Sequence, residues 1–113
     1  MVIASIFESL EFGEEKPAIR VLLDTPNVKE VRITFRKGQE MKEHKAPFPI
    51  VVEVVQGSID FGVGELRQLL TRGMLVALES LVPHDLRAIE DSVVRLSLNK
   101  ADSMKRVEQA IAK

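Results

Sequence analysis

Apolar and polar residues alternate along most of the chain, and a period of two is typical of β-strands. The predicted strands cover residues 30–36, 50–55, 59–63, 66–70, 74–78, 86–89 and 93–98. Glycine- or proline-containing turns separate them, for example at residues 24–27, 56–57 and 72–73. Many short strands at regular spacing predict an all-β sandwich or barrel.

The strand predicted at residues 50–55 is apolar on both faces. Branched apolar residues occupy positions 50, 52 and 54 on one face, and Val51 and Val55 flank Glu53 on the other. A strand of this kind is normally buried on both sides. We therefore expect its outer face to be covered by another sheet, a helix or a second subunit.

The last residues of the chain follow a different period. Met104, Val107 and Ile111 fall at helical spacing with charged residues between them, and the polar residues at 102–103 suit an N-cap. The pattern predicts a short amphipathic helix over about residues 101–113. It either covers an exposed sheet face, the interpretation we favour, or binds a partner.

Composition limits the classes of function that are expected of this chain. The chain has 113 residues, which predicts a single domain over residues 1–113, and its net charge of −1 favours neither nucleic acid nor an anionic membrane. It has no cysteine, which excludes disulfides and thiolate ligands, and no tryptophan or tyrosine for stacking sugars or bases. No secretory signal or membrane-spanning stretch is present, so we expect a cytoplasmic protein.

Two segments carry a resemblance to a known family. Gly38, five residues and His44 resemble the start of the first cupin motif, and Gly57 matches its end. Residues 73–84 resemble the second motif, a glycine, a strand and a turn that ends in Pro83-His84. The chain is therefore similar to small single-domain bacterial cupins over residues 38–98. The resemblance implies a double-stranded β-helix jelly-roll barrel, with the short C-terminal helix added, and a homodimer.

The resemblance also implies an incomplete metal site. Metal-binding cupins supply two histidines and a glutamate from the first motif and one histidine from the second. Here those positions hold His44, Ala46, Ile50 (or Val51) and His84, so two of four ligands are present. Among nearby carboxylates Glu40 shares strand parity with His44, whereas Glu43 points to the opposite side, so Glu40 is the candidate third ligand.

These observations leave several functions open. The first is a small ligand of unknown identity bound inside the barrel without a cofactor, its polar or anionic group held by the two imidazoles. The second is a metal-dependent enzyme (a dioxygenase, isomerase or sugar-modifying enzyme) with a reduced site for Zn, Ni, Fe or Mn. The third is a structural or partner-binding dimer. The predicted ligand pocket consists of His44, His84, Phe35, Phe48, Ile50, Val52, Met74, Val76 and Leu86.

Overall fold

The computed structural model describes residues 1–99, and the helix predicted over about residues 101–113 lies outside them. Within residues 1–99 the secondary structure consists of β-strands. The nine strands are β1 (Ala18–Asp24), β2 (Val28–Phe35), β3 (Glu40–His44), β4 (Ile50–Gln56), β5 (Ser58–Val63), β6 (Leu66–Thr71), β7 (Leu75–Leu78), β8 (His84–Ala88) and β9 (Ser92–Asn99). The all-β architecture that the alternation predicts is therefore present.

Two antiparallel sheets face each other. One has five strands in the order β1-β2-β9-β4-β7, and the other has four in the order β3-β8-β5-β6. Strands far apart in sequence lie side by side, as in the pairing of β2 with β9, so the two halves of the chain are interleaved. This interleaving places β3 beside β8 and brings the two sequence motifs together at one end of the barrel.

The inward faces of both sheets form one apolar core, as the alternation predicts. The five-stranded sheet contributes Val31, Ile33, Phe35, Ile50, Val52, Val54 and Val94, and the four-stranded sheet contributes Ile59, Phe61, Leu70, Leu86 and Ala88. The turn between β4 and β5 brings Gly57 against Ser92 at a φ of +93°, where a side chain would meet the Ser92 backbone. The glycine predicted to break this pair of strands is therefore required by both conformation and space.

The first seventeen residues contain no strand and lie partly against the outer face of β2. A buried arginine in that strand, Arg32, holds this segment. Its guanidinium donates hydrogen bonds to the carbonyl oxygens of Ile6 (2.9 Å), Glu8 (2.6 Å) and Ser9 (3.1 Å). Thr34 extends the attachment by donating its hydroxyl to Glu11 O at 2.6 Å. One end of the sheet's outer face is therefore covered by the chain's own N-terminal segment.

No helix within residues 1–99 is long and apolar enough to cross a lipid bilayer.

Candidate functional site

The two histidines of the described chain lie opposite each other in neighbouring strands. His44 ends β3 and His84 begins β8, and the two are direct partners in the antiparallel register. Their ring centroids are 4.3 Å apart and their planes are tilted by 59°. The histidine of the first sequence motif is therefore in contact with the histidine of the second.

A β-bulge places His44 on the inner side of its strand. Met41 pairs with Leu86 and His44 pairs with His84, so three residues of β3 span the interval that β8 covers with two. The extra residue reverses the alternation after Met41. As a result Met41 and His44 both face the interior, although they are three positions apart and would face opposite sides in a regular strand.

The bulge overturns the expectation for Glu40. Equal parity was expected to bring Glu40 to the side of His44, but Glu40 pairs with the exposed Arg87 and is itself exposed on the outer face. No group of three or more histidine, aspartate or glutamate side chains suited to a metal ion occurs within residues 1–99. Residues 1–99 therefore add no further ligand group that would complete a metal site with His44 and His84.

Both histidines are oriented by the same local hydrogen bond. Nδ1 of His44 lies 2.7 Å from the carbonyl oxygen of Lys42, and Nδ1 of His84 lies 2.9 Å from that of Val82. A carbonyl oxygen only accepts, so Nδ1 carries the hydrogen in each ring. In the neutral rings Nε2 is then an acceptor with a free lone pair. Each Nδ1 hydrogen therefore goes to the backbone two residues earlier in the chain and not to the other imidazole.

The environment of His84 favours its neutral form. The ring is buried and stacks on Phe61, with centroids 5.7 Å apart and planes 11° from parallel. Burial lowers the pKa of His84 below its ordinary value of 6.5, and the neighbouring His44 lowers it further. The Val82 carbonyl and Asp85 act in the opposite direction but do not outweigh burial.

A cavity of about 200 Å³ lies between the histidine pair and the inner face of the five-stranded sheet. Its walls are Ile19, Val31, Ile33, Met41, His44, Ala46, Ile50, Val52, His84, Leu86, Val94 and Leu96. Apart from the two imidazoles, every lining side chain is apolar. The arrangement can therefore enclose a small apolar body and offer it polar contacts at one end.

The structure places five of the predicted pocket residues around this cavity, namely His44, His84, Ile50, Val52 and Leu86. It also shows that Ile50, rather than Val51, faces the interior, because Val51 lies on the other side of β4 at an outer groove. The position that holds a glutamate ligand in metal-binding cupins is therefore occupied by an apolar wall residue of the cavity.

The other four predicted residues lie elsewhere. Phe35 is fully buried but does not reach the cavity, and Phe48 is half-buried in the segment between β3 and β4. Val76 lines a shallow depression beside Phe61 and Leu66. Met74 is exposed in the turn before β7, with its Sδ 3.3 Å from the backbone nitrogen of Thr71. Alternation indicates the face of a residue but not its depth along the barrel.

Sequence reasoning missed several walls of the cavity, namely Ile19, Val31, Ile33, Met41 and Val94, and the ring that stacks on His84, Phe61. The inward faces of β2 and β9 carry a clear signal, since they alternate as strictly as β4 does. Nothing in the sequence indicates which of these inward residues lie at the level of the histidines. That information comes from the register of β2, β9 and β4.

No protein-family model matches the sequence, and no curated protein is similar to it. Solved structures do resemble the fold. An RmlC-like cupin protein from Desulfovibrio desulfuricans superposes with a TM-score of 0.80 at 23% identity, covering 88% of this chain and 97% of that one. A protein with a double-stranded β-helix domain from Klebsiella pneumoniae gives 0.79 at 18% identity, covering 89% of this chain and 91% of that one.

A cupin 2 conserved barrel domain protein from Leptotrichia buccalis is 28% identical, with a TM-score of 0.73. The match covers 82% of this chain and 45% of the longer Leptotrichia chain. The interleaved sheets, the two motifs meeting at β3 and β8, and these superpositions agree. The chain therefore has the double-stranded β-helix fold of the RmlC-like cupins.

Proposed function

We propose that this protein binds a small, largely apolar molecule in the cavity beside His44 and His84, and that it does so without a complete metal site. The observation that carries the proposal is the pair of fixed imidazoles at the end of a cavity whose remaining side chains are all apolar. Small-molecule sites commonly combine apolar walls with a few convergent polar groups.

The size of the cavity supports a single small ligand. A cavity of about 150 Å³ lined by apolar side chains is large enough to bind benzene. The cavity here is about 200 Å³ and adds two polar groups, so it suits one six-membered ring with a substituent. Ile19 is 64% exposed at its edge, and this leaves a route from solvent.

Toluene is a suitable first probe, because it tests the cavity without the histidines. We expect toluene to shift the methyl NMR signals of Ile33, Val52 and Val94 in a saturable manner. Ala46→Leu is the matched control, because the larger side chain fills the cavity from its half-buried rim. Shifts confined to surface methyl groups, or equal shifts in the Ala46→Leu variant, would argue against the proposal.

A metal-dependent enzyme is the second candidate. One observation favours it. The ring N–H that does not face the metal usually donates a hydrogen bond to a carbonyl or carboxylate oxygen in metal-ligating histidines, and Nδ1–H of both histidines donates to a carbonyl oxygen here. A resident first-row metal normally needs three or more strong protein ligands, however, and Ala46 and Ile50 supply none. Elemental analysis of untagged protein distinguishes the candidates. One metal per chain would support the enzyme, and substoichiometric metal would support the apolar site.

The homodimer and the cytoplasmic location stay predictions. Light scattering across a size-exclusion peak is expected to give about twice the chain mass of 12.7 kDa. Val51 and Val55, half-buried on the outer face of β4, are the residues whose pattern predicts a covering subunit. A monomeric mass at tens of micromolar protein would contradict the dimer.

A further inference from the structure

The side chains that line the cavity differ in whether they can donate or accept a hydrogen bond. Each histidine uses its Nδ1 hydrogen on a backbone carbonyl, as the distances to Lys42 O and Val82 O show. The remaining lining side chains are aliphatic or, at Met41, a thioether, and none of these donates a hydrogen bond. With both rings neutral, the lining contributed by residues 1–99 therefore presents acceptors and no side-chain donor.

The acceptors are the Nε2 atoms of His44 and His84. Neither Nε2 has a hydrogen-bond partner within residues 1–99. No buried side-chain nitrogen or oxygen in this part of the chain lacks a partner, so Nε2 of the buried His84 must retain solvent access. Both rings line the cavity, and we assign the solvent access of Nε2 to it.

From this inventory we infer that the ligand is a neutral hydrogen-bond donor, a compact apolar molecule that carries a hydroxyl group. The inference rests on the proposed function and adds the chemical class of the ligand. The hydroxyl hydrogen is donated to Nε2 of one imidazole while the apolar body lies against Ile33, Val52 and Val94.

The same inventory disfavours an anionic or carbonyl ligand, so the inference narrows the expected polar or anionic group to a hydroxyl donor. A carboxylate or ketone oxygen would face two nitrogen lone pairs and no side-chain donor from residues 1–99. It would lose its bonds to water without replacing them, which is expected to weaken binding about 5- to 150-fold for each buried polar group left unsatisfied. His84 is buried and stacks on Phe61, an apolar neighbour that offers no partner to a charged ring.

Four probes of similar size isolate the hydroxyl hydrogen. Phenol carries it, anisole replaces it with a methyl group, toluene lacks the oxygen, and benzoate offers only acceptors. Titrations at pH 8 follow the methyl signals of Ile33, Val52 and Val94. We expect phenol to bind about two- to twelvefold more tightly than anisole or toluene, because it gains one net hydrogen bond. Benzoate is expected not to enter.

His84→Phe and His44→Phe test the residues that carry the inference. Phenylalanine keeps an aromatic ring and removes one acceptor. The preference for phenol over toluene is therefore expected to fall in the variant of the accepting histidine and to disappear when both changes are combined, while toluene binding persists. His44 is only half-buried, so its variant serves if the His84 variant fails to fold.

The outcomes distinguish failure of the proposed function from failure of the assigned ligand class. If no probe shifts the cavity methyl groups, the proposed function fails and the ligand class fails with it. If toluene binds as tightly as phenol, or benzoate binds more tightly than phenol, the cavity functions as a site but the ligand class is wrong. A preference for phenol that survives when both histidines are replaced by phenylalanine would also overturn the assignment.

Discussion

Arg32 and His84 are equally buried, each about 3% exposed, yet they differ in how fully their hydrogen-bonding positions are used. The guanidinium of Arg32 makes three hydrogen bonds to carbonyl oxygens of the N-terminal segment. His84 uses one ring nitrogen on the Val82 carbonyl and leaves the other with no partner among residues 1–99. Burial alone therefore does not distinguish a structural polar group from a binding one. The number of unused hydrogen-bonding positions does.

The difference follows from what lies opposite each side chain. Arg32 faces outward, where residues 6–9 supply backbone carbonyls that themselves need donors. His84 faces inward, across a cavity with apolar walls. A saturated group stabilises the fold, whereas an unsaturated group at a cavity is available to a ligand.

The largest expected effect comes from completing the histidine site. Ala46→His combined with Ile50→Glu restores the two ligands that the motif positions lack. We expect Ni²⁺ to bind the wild type no more tightly than micromolar and the double variant at least about 100-fold more tightly, because each added ligand acts in a preformed geometry. Calorimetric titration measures both affinities.

The same double variant tests the apolar character of the cavity. Without metal it is expected to be less stable than the wild type, since Ile50 is only 4% exposed and a carboxylate there would be buried without a partner. His84→Ala serves as the control for the metal titration. Nanomolar Ni²⁺ binding by the wild type, abolished in His84→Ala, would show that a complete metal site exists and would place the enzyme candidate first.

Arg32→Ala is expected to have the next largest effect, on stability rather than on binding. Removing a buried charged donor frees the N-terminal segment and leaves its carbonyls to water, which we expect to cost about 2–4 kcal/mol in the free energy of unfolding. Urea denaturation measures the loss. Arg20→Ala is the matched control, because Arg20 makes a single exposed ion pair with Glu8 at 3.8 Å. Equal losses in the two variants would remove the distinction between Arg32 and a surface arginine.

The sequence predicts the inward faces and the meeting of the two motifs, but not the alternation around His44. Strand alternation is readable where apolar residues recur, as in β4 and β9. In β3 only Met41 is apolar, so an extra residue in the strand leaves no trace in the pattern. The bulge reverses the side on which Glu40 lies, and for that reason the third ligand was assigned wrongly.

The contents of the cavity were predicted in part for a related reason. Residues on an inward face differ in their height along the barrel, and height depends on how the strands are shifted against one another. Phe35 and Val52 both face inward, but Phe35 pairs with Ser92 at one end of β9, whereas Val52 pairs with Leu96 near the histidines. Such register is decided by contacts between distant strands, which no local pattern contains.

A smaller effect is expected when pH is lowered. Burial lowers the pKa of His84 in the folded chain, whereas the unfolded chain takes up the proton near pH 6.5. Stability from the neutral ring is therefore complete above pH 6.5 and is lost as the pH falls from there towards the folded pKa. Urea denaturation at several pH values between 8 and 5 measures this loss. His84→Phe is expected to show a shallower decline over the same range, and identical slopes would contradict the assignment.

The smallest effect concerns a third polar cluster, in which Arg67 of β6 lies across β5 and reaches Asp85 of β8. Arg67 Nη1 is 2.8 Å from Asp85 Oδ2, and Arg67 Nε is 3.1 Å from Asp60 Oδ1. Gly62 lies beneath the guanidinium, and a Cβ atom there would collide with Arg67 Nη1 and Asp85 Oδ1. The glycine therefore leaves the space in which this exposed cluster forms.

A double-mutant cycle tests that reading of Gly62. Gly62→Ala is expected to destabilise the wild type slightly, because it displaces Arg67 from Asp85. In the Arg67→Ala background the same change is expected to be less harmful or to stabilise, since alanine is favoured over glycine within a strand by about 0.5–1 kcal/mol. The free energies of unfolding of the four proteins give the coupling directly. An effect of Gly62→Ala that is the same in both backgrounds would mean that the glycine serves the strand itself. A reversal of sign would show that Gly62 provides the space in which the exposed cluster of Arg67, Asp60 and Asp85 forms. The histidine pair differs from this cluster, because its unused Nε2 positions face a cavity.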